Sequence, residues 1–183
     1  MGDFNTAFAQ LIGHEGGYVN NPNDSGGETN WGVTIAKARE AGYTGPMKAM
    51  TIDQAKAIYR RLFWDKLKLD QICALSYPIA LELFDTGVNL GIGRSVQFLQ
   101  RALNVLNRLG KDYPDLTVDG LIGPATIQAL EKYINLRKAD GVSVMVKILN
   151  ALQGEFYITL AEKREKDEEF INGWFCTRIS IPE

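Results

Sequence analysis

Histidine and cysteine are scarce in this chain of 183 residues, which contains one histidine, His14, and two cysteines, Cys73 and Cys176. The cysteines lie far apart and form no Cys-x-x-Cys motif, and a single imidazole cannot build a histidine-rich metal site. We therefore expect no catalytic zinc. A Ser-His-Asp or Cys-His arrangement would depend entirely on His14, which disfavours nucleophilic catalysis.

The net charge of the chain is also small, and long apolar runs are missing from its sequence. The 20 Lys and Arg residues nearly balance the 22 Asp and Glu residues, and a net charge of −2 argues against a nucleic-acid partner. No apolar run approaches the roughly 20 residues that span a bilayer, and the first residues lack the basic and apolar regions of a signal peptide. We expect a chain made in the cytoplasm without a signal peptide, with no membrane insertion.

A helical period dominates the sequence, which predicts an all-α domain. Turn-forming residues fill positions 16–30 and predict a long loop or a short hairpin after the first helix. Capping residues or a first-turn proline mark the predicted helix starts near Asp3, Thr34, Thr51, Pro78, Gly93, Pro124 and Ser143. In the last helix, the residues expected to face inward are Val144, Ile148, Leu152, Phe156 and Leu160.

Glu15 is a candidate general acid. It follows Phe8 by seven residues, Leu11 by four and Ile12 by three, so helical geometry places its carboxyl group on the apolar face. Burial there and the negative end of the helix dipole would both raise its pKa, which suits proton donation near neutral pH. A glutamate that ends the helix in a salt bridge is an equally acceptable interpretation.

Asp24 is the second candidate, nine residues further along, in a loop of asparagine, serine and glycine. Polar neighbours would keep this carboxylate ionised. One protonated and one ionised carboxyl group form the pair that cleaves glycosidic bonds. From spacing alone, an ordinary Asx-turn explains Asp24 better.

Several segments together resemble glycoside hydrolase family 108, a lysozyme-like group of N-acetylmuramidases found in phage endolysins and in bacterial proteins once named secretion activators. The similar segments are His14-Glu15-Gly16-Gly17-Tyr18, Asn23-Asp24-Ser25-Gly26-Gly27-Glu28-Thr29-Asn30-Trp31-Gly32-Val33-Thr34, Ala55-Lys56-Ala57-Ile58-Tyr59-Arg60, Phe63-Trp64-Asp65, and Leu83-Phe84-Asp85 with Val88-Asn89 and Gly91. Residues 118–126 resemble the predicted peptidoglycan-binding region that follows in this family.

The resemblance implies a lysozyme-like fold, with Glu15 as the catalytic acid. By analogy with phage lysozymes, Asp24 and Thr29 would hold the attacking water, while Glu28 and Thr34 are close competitors for that role. The substrate would be the β-1,4 bond between N-acetylmuramic acid and N-acetylglucosamine, with no cofactor or metal. A lytic transglycosylase on the same bond, or a non-catalytic wall-binding or secretion-assisting protein, are the alternatives.

Other residues are candidates for the lining of a substrate groove. Tyr18 and Trp31 flank the candidate loop and could stack on sugars, and Glu82, Asp85 and Asn89 form a polar stripe on an apolar helix. Structural hydrogen bonding explains that stripe about as well. We expect Trp64 and Trp174 to be core anchors and Asp119 to be a turn residue.

We expect residues 1–91 to form a lysozyme-like catalytic lobe and residues 92–183 a helical peptidoglycan-binding part, packed as one globular unit. The partner would be the glycan strands of peptidoglycan, and the protein would be a monomer. It would act on the periplasmic cell wall after holin-type release or another export route.

Overall fold

The structure, a computed structural model, describes residues 2–13, 17–20 and 27–179. Its all-α class agrees with the prediction. The elements are α1 (Phe4–Ile12), β1 (Thr29–Asn30), β2 (Val33–Thr34), α2 (Ile35–Glu40), α3 (Ile52–Tyr59), α4 (Leu69–Leu75), α5 (Tyr77–Leu90), α6 (Ile92–Leu106), α7 (Pro124–Lys163) and α8 (Glu168–Arg178). Short 3₁₀ segments cover Met47–Ala49 and Glu165–Asp167. The chain divides into two compact units, Met1–Asp70 and Gln71–Glu183.

Aromatic side chains form the core of the first unit. Phe4 and Phe8 of α1 contact Trp64 and Tyr59, with ring centroids 5.2 and 5.5 Å apart. Trp64 is fully buried, as expected of a core anchor, and its indole nitrogen donates to the Asp70 carboxylate at 2.7 Å. This cluster holds α1 against the chain that follows α3.

The first helix ends earlier than its apolar spacing predicted. Gly13 adopts φ 51° and ψ −133°, which ends α1 at Ile12. A residue without a Cβ adopts a positive φ with little strain, so the glycine ends the helix here. The regular helix on which the predicted burial of Glu15 depends therefore stops at Ile12. Glu15 itself lies outside the described residues, as does Asp24.

A short hairpin follows the first helix. β1 and β2 are antiparallel, and their two-residue turn has φ 52° at Trp31 and 70° at Gly32. Positive φ at both positions is characteristic of a type I′ turn, whose twist suits adjacent strands. Val19 adds an antiparallel bridge to Thr29, so residues 17–20 lie along the outer edge of the hairpin.

The second unit is a helical bundle in which α5 packs against α6 and α7. Pro78 occupies the first turn of α5, and Gly91 with φ 89° ends it, as predicted. The Ser95 hydroxyl of α6 donates to the Leu83 carbonyl at 2.8 Å in the buried contact between these helices.

The long helix α7 differs from the prediction in two ways. It is broken at Lys138 (φ 54°, ψ −140°), and Ser143 lies inside the helix instead of capping it. Its buried face is displaced by one residue from the expected apolar stripe and carries Met145, Leu149, Gln153, Tyr157 and Ala161. The displaced face includes a glutamine because the helix presents polar partners to carboxylates of α5.

Candidate active site

The hairpin holds the described part of the predicted catalytic region. Two backbone hydrogen bonds join Val19 and Thr29, at 2.8 and 2.9 Å. Thr29 therefore uses both backbone groups on the outer edge, and the nine residues between these partners include Asp24. The described geometry thus fixes both ends of the segment that the sequence assigned to the catalytic loop.

Thr29 and Thr34, the two threonines proposed as alternatives for positioning water, are direct cross-strand partners. Opposite residues of an antiparallel pair project to the same face, with Cβ atoms about 5 Å apart. The hydroxyl of Thr34 also accepts a hydrogen bond from the Lys37 amide at 3.3 Å and caps α2. The hairpin thus brings both candidate hydroxyls to one face, and Thr34 has an additional structural role.

The two candidate stacking residues differ in exposure. Tyr18 is 37% exposed, whereas Trp31 is half-buried. The Trp31 indole nitrogen donates to the Met50 carbonyl at 2.9 Å, which fixes the ring against the Met47–Ala49 turn. Trp31 therefore combines its candidate role with a clear structural one.

Asn30 is an important positioning residue that the sequence interpretation missed. It is almost fully buried, and its side-chain nitrogen donates to the Met47 carbonyl at 2.7 Å and the Met50 carbonyl at 3.4 Å. A buried amide must be hydrogen-bonded, so Asn30 anchors the hairpin as Trp31 does. The sequence did contain one indication of this role. Asn30 lies between Thr29 and the Trp31-Gly32 turn, and a polar side chain inside so short a strand needs a hydrogen-bond partner.

Gly32 lies against the hydroxyl of Tyr59. A Cβ atom at this position would lie 2.6 Å from that oxygen, which in turn donates to the Trp31 carbonyl at 3.4 Å. Gly32 is thus required both by its positive φ and by the close approach of the tyrosine, and α3 supports the tip of the hairpin.

Glu82, a predicted groove residue of the second unit, is buried on α5. One carboxyl oxygen accepts a hydrogen bond from the Asn150 amide at 2.9 Å, and the other is buried without a partner among the described residues. Burial, reinforced by the nearby Asp85 carboxylate, raises the pKa of Glu82 to about 8. Near neutral pH, this side chain is therefore largely a neutral carboxylic acid.

Asp85 is the centre of the same polar cluster. It accepts hydrogen bonds from Arg178 of α8 at 2.6 Å and from Gln153 of α7 at 3.0 Å. Asn89 is exposed and donates to the Asp85 backbone carbonyl at 3.2 Å. The structure thus brings Glu82, Asp85 and Asn89 together; Glu82 and Asp85 bond to side chains of other helices, whereas the Asn89 side chain bonds only to Asp85 among the described residues.

The loop before α7 is organised by Asp119. Its carboxylate accepts hydrogen bonds from the Gln100 amide at 2.8 Å and the Leu121 backbone amide at 2.9 Å. These donors lower the pKa of the Asp119 carboxyl group. Asp119 is the turn residue that was expected. Trp174 is half-buried and packs on Tyr157, with ring centroids 5.0 Å apart.

Comparisons with known proteins assign both halves of the sequence. Residues 8–91 match the family model of glycosyl hydrolase 108, and residues 94–179 match a model described as a predicted peptidoglycan domain. The first part of the chain is therefore similar to glycosyl hydrolase family 108. This assignment confirms the resemblance drawn from its motifs, and both matches point to a lysozyme-like glycoside hydrolase that acts on peptidoglycan.

The fold of this chain also has a solved counterpart. The chain is similar to a protein described as "Structure of Brucella abortus SagA", at 23% identity and a TM-score of 0.64, over 97% of this chain and 96% of that one. A search among curated proteins gives no match. Within the described residues, no helix is both long and apolar enough to cross a bilayer.

Proposed function

We propose that this protein is an N-acetylmuramidase that hydrolyses the β-1,4 bond between N-acetylmuramic acid and N-acetylglucosamine. Glu15 donates a proton to the leaving oxygen, while Asp24 and Thr29 align the water that attacks the oxocarbenium-like centre. Tyr18 and Trp31 are the sugar-stacking candidates beside this site. The observation that carries the proposal is the glycosyl hydrolase 108 match over residues 8–91, which includes all five residues.

The paired threonines support this assignment of the water-binding face. Thr29 lies beside Thr34 on the hairpin that begins immediately after the Asp24 segment. Thr34 already accepts a hydrogen bond from Lys37, which favours Thr29 as the hydroxyl that is free to bind water. The pairing of Glu28 with Thr34 is the alternative.

We further propose that residues 1–91 form the catalytic part and residues 92–183 the wall-binding part of a monomer that acts on the periplasmic cell wall after holin-type release. Glu82, Asp85 and Asn89 keep their candidate role in substrate binding. The hydrogen bonds of Glu82 and Asp85 to α7 and α8 favour a supporting role, in which these two residues order the bundle.

The main test is the clearing of permeabilised Gram-negative cells by the wild type and by Glu15→Gln. We expect the substitution to lower the clearing rate by about 10²- to 10⁴-fold, since the amide cannot donate the catalytic proton. The thermal midpoint should stay unchanged. Equal clearing by both proteins would contradict the mechanism, and no clearing by either would support the non-catalytic wall-binding alternative.

The released fragments distinguish hydrolysis from the transglycosylase reaction. Mass spectrometry of digested sacculi should show reducing muramic acid ends, because water is the attacking group. Predominant 1,6-anhydro ends would assign the attack to the 6-hydroxyl of muramic acid instead.

The two threonines can be separated by a matched pair of substitutions. Thr29→Val removes the proposed water ligand and should lower the clearing rate about tenfold with little change in stability. Thr34→Ser keeps a hydroxyl that can cap α2 and should retain most of the activity. Retained activity in Thr29→Val, together with a loss in Thr34→Val that Thr34→Ser does not show, would exchange the two roles.

A further inference from the structure

The second unit contains a groove between α7 and α8 that the proposed reaction does not use. Its volume is about 810 Å³, which is within the range of sites for small ligands. It is lined by Lys147, Asn150, Ala151, Gly154, Glu155, Ile158, Thr159, Glu162, Phe175 and Ile179. All of these residues belong to the segment that matches the predicted peptidoglycan domain.

The floor of the groove is apolar because of the way α7 is oriented. The polar residues Asn150 and Gln153 turn toward α5, which leaves Ile158 48% exposed on the groove side. Gly154 lets α8 approach closely, since a Cβ atom there would lie 3.3 Å from the Phe175 ring. An apolar surface therefore lies open between two helices.

Charged side chains of opposite sign lie along the same groove. Lys147 and Glu155 are eight residues apart on α7, which corresponds to about 12 Å along the helix axis, and Glu162 lies further in the same direction. None of these three forms an ion pair with another residue in the described part of the chain. The groove thus presents a cation at one end and carboxylates beyond it.

We propose that this groove binds the stem peptide of peptidoglycan, an inference that rests on the proposed function. In a Gram-negative stem peptide, the D-glutamate residue has a free carboxylate, and the side chain of the diamino acid that follows ends in a free ammonium group beside a second carboxylate. The D-glutamate carboxylate pairs with Lys147 and the ammonium group pairs with Glu155, while the second carboxylate faces solvent. The alanine methyl groups pack on Ile158 and Phe175.

The dimensions agree with this ligand. The two charges stand on adjacent residues, but the γ-linkage of glutamate and the long side chain of the diamino acid separate them by about 13 Å when extended, so they reach groups about 12 Å apart along the helix. A glycan strand could pack on the apolar floor, but it would not need separated charges of opposite sign. Charge complementarity therefore selects the peptide over the sugar.

The experiment is calorimetric titration of the full-length chain with the free tetrapeptide L-Ala-γ-D-Glu-meso-diaminopimelate-D-Ala. We expect the wild type and Glu15→Gln to bind equally, and Lys147→Glu to weaken binding by about tenfold or more. Lys132→Glu, which makes the same change at an exposed position of α7 outside the groove, should bind as the wild type does.

Other outcomes overturn the proposal. These are absence of tetrapeptide binding by the folded wild type, or equal loss in Lys147→Glu and Lys132→Glu. Binding of chitotetraose in place of the peptide, abolished by Lys147→Glu, would assign the groove to glycan. A concentration-dependent dimer that Lys147→Glu dissociates would assign it to a second copy of the chain. Peptide binding with full clearing by Glu15→Gln would refute the catalytic mechanism and leave the groove assignment intact.

Discussion

Polar side chains serve different purposes in the two units. In the first unit, Asn30 and Trp31 donate to backbone carbonyls of Met47 and Met50 and so hold an irregular segment in place. In the second unit, side chains bond one another across helices, as Glu82 does with Asn150 and Asp85 with Arg178. We infer that neutral bonds to the backbone fix the hairpin, whereas the bundle depends on the ionisation of its carboxyl groups.

The largest expected effect concerns Glu82 and pH. Its folded-state pKa is about 8, above the ordinary value of 4.5, so between these values the folded chain holds a proton that the unfolded chain has released. The free energy of unfolding should therefore fall as pH rises from about 4.5 to about 8, by up to about 4 kcal/mol from this group. Glu82→Gln removes that dependence.

Urea denaturation at pH 5 and pH 8 measures this effect. The difference between the two pH values should be smaller in Glu82→Gln than in the wild type. Glu131→Gln, which changes an exposed glutamate of α7, should leave the wild-type difference in place. If the Glu82 and Glu131 variants have the same pH dependence, the buried carboxyl group is not the source.

An intermediate effect is expected at the hairpin, where the bonds are neutral. Gly32→Ala should lower the free energy of unfolding by about 3 kcal/mol, because the new Cβ is strained by the positive φ and collides with the Tyr59 hydroxyl. Gly110→Ala has a similar φ of 76° but no atom near its Cβ, so it should cost only about 1 kcal/mol. Thermal denaturation of both variants isolates the collision.

Adding Tyr59→Phe provides the control for that assignment. Removing the hydroxyl should recover part of the loss in Gly32→Ala. No recovery would mean that backbone strain alone accounts for the effect. The loss at Gly32 should also be nearly independent of pH, in contrast to the effect at Glu82.

The smallest effect concerns ion pairs. Asp85 and Arg178 have side chains only 18% and 25% exposed, whereas Glu40 and Lys66 are 45% and 50% exposed. Arg178→Ala should lower the free energy of unfolding by about 1.5 kcal/mol, and Lys66→Ala by about 0.3 kcal/mol or less. Chemical denaturation in low and high salt measures both changes in the free energy of unfolding. Equal losses in the two variants would mean that the ion pairs of the two units do not differ in strength.

Local signals predicted most of the fold. The capping box at Thr51, the first-turn proline at Pro78 and the glycine that ends α5 all act within a few residues, and each appears where expected. The prediction of the inward face of α7 was wrong for a non-local reason. Its orientation is determined by Glu82 and Asp85, which lie 68 residues away from their partners Asn150 and Gln153.

The candidate site was predictable only in part. Thr29 and Trp31 were identified because they belong to a motif, and the hairpin brings Thr29 beside its competitor Thr34. Asn30 was missed because its partners are the Met47 and Met50 carbonyls, which no side-chain pattern reveals. Helical spacing also extended α1 past Gly13, since periodicity carries no information on the φ angle of a glycine.

The boundary between the two family matches does not coincide with the boundary between the compact units. Helix α5 lies in the glycosyl hydrolase match, yet its buried carboxyl groups are bonded to α7 and α8 of the peptidoglycan match. A recombination event after residue 91 would leave Glu82 and Asp85 without these donors. The segment that matches the peptidoglycan domain could therefore be exchanged, in evolution or in engineering, only together with α5. Without α5, the exchanged segment would lose the carboxyl groups to which its side chains bond.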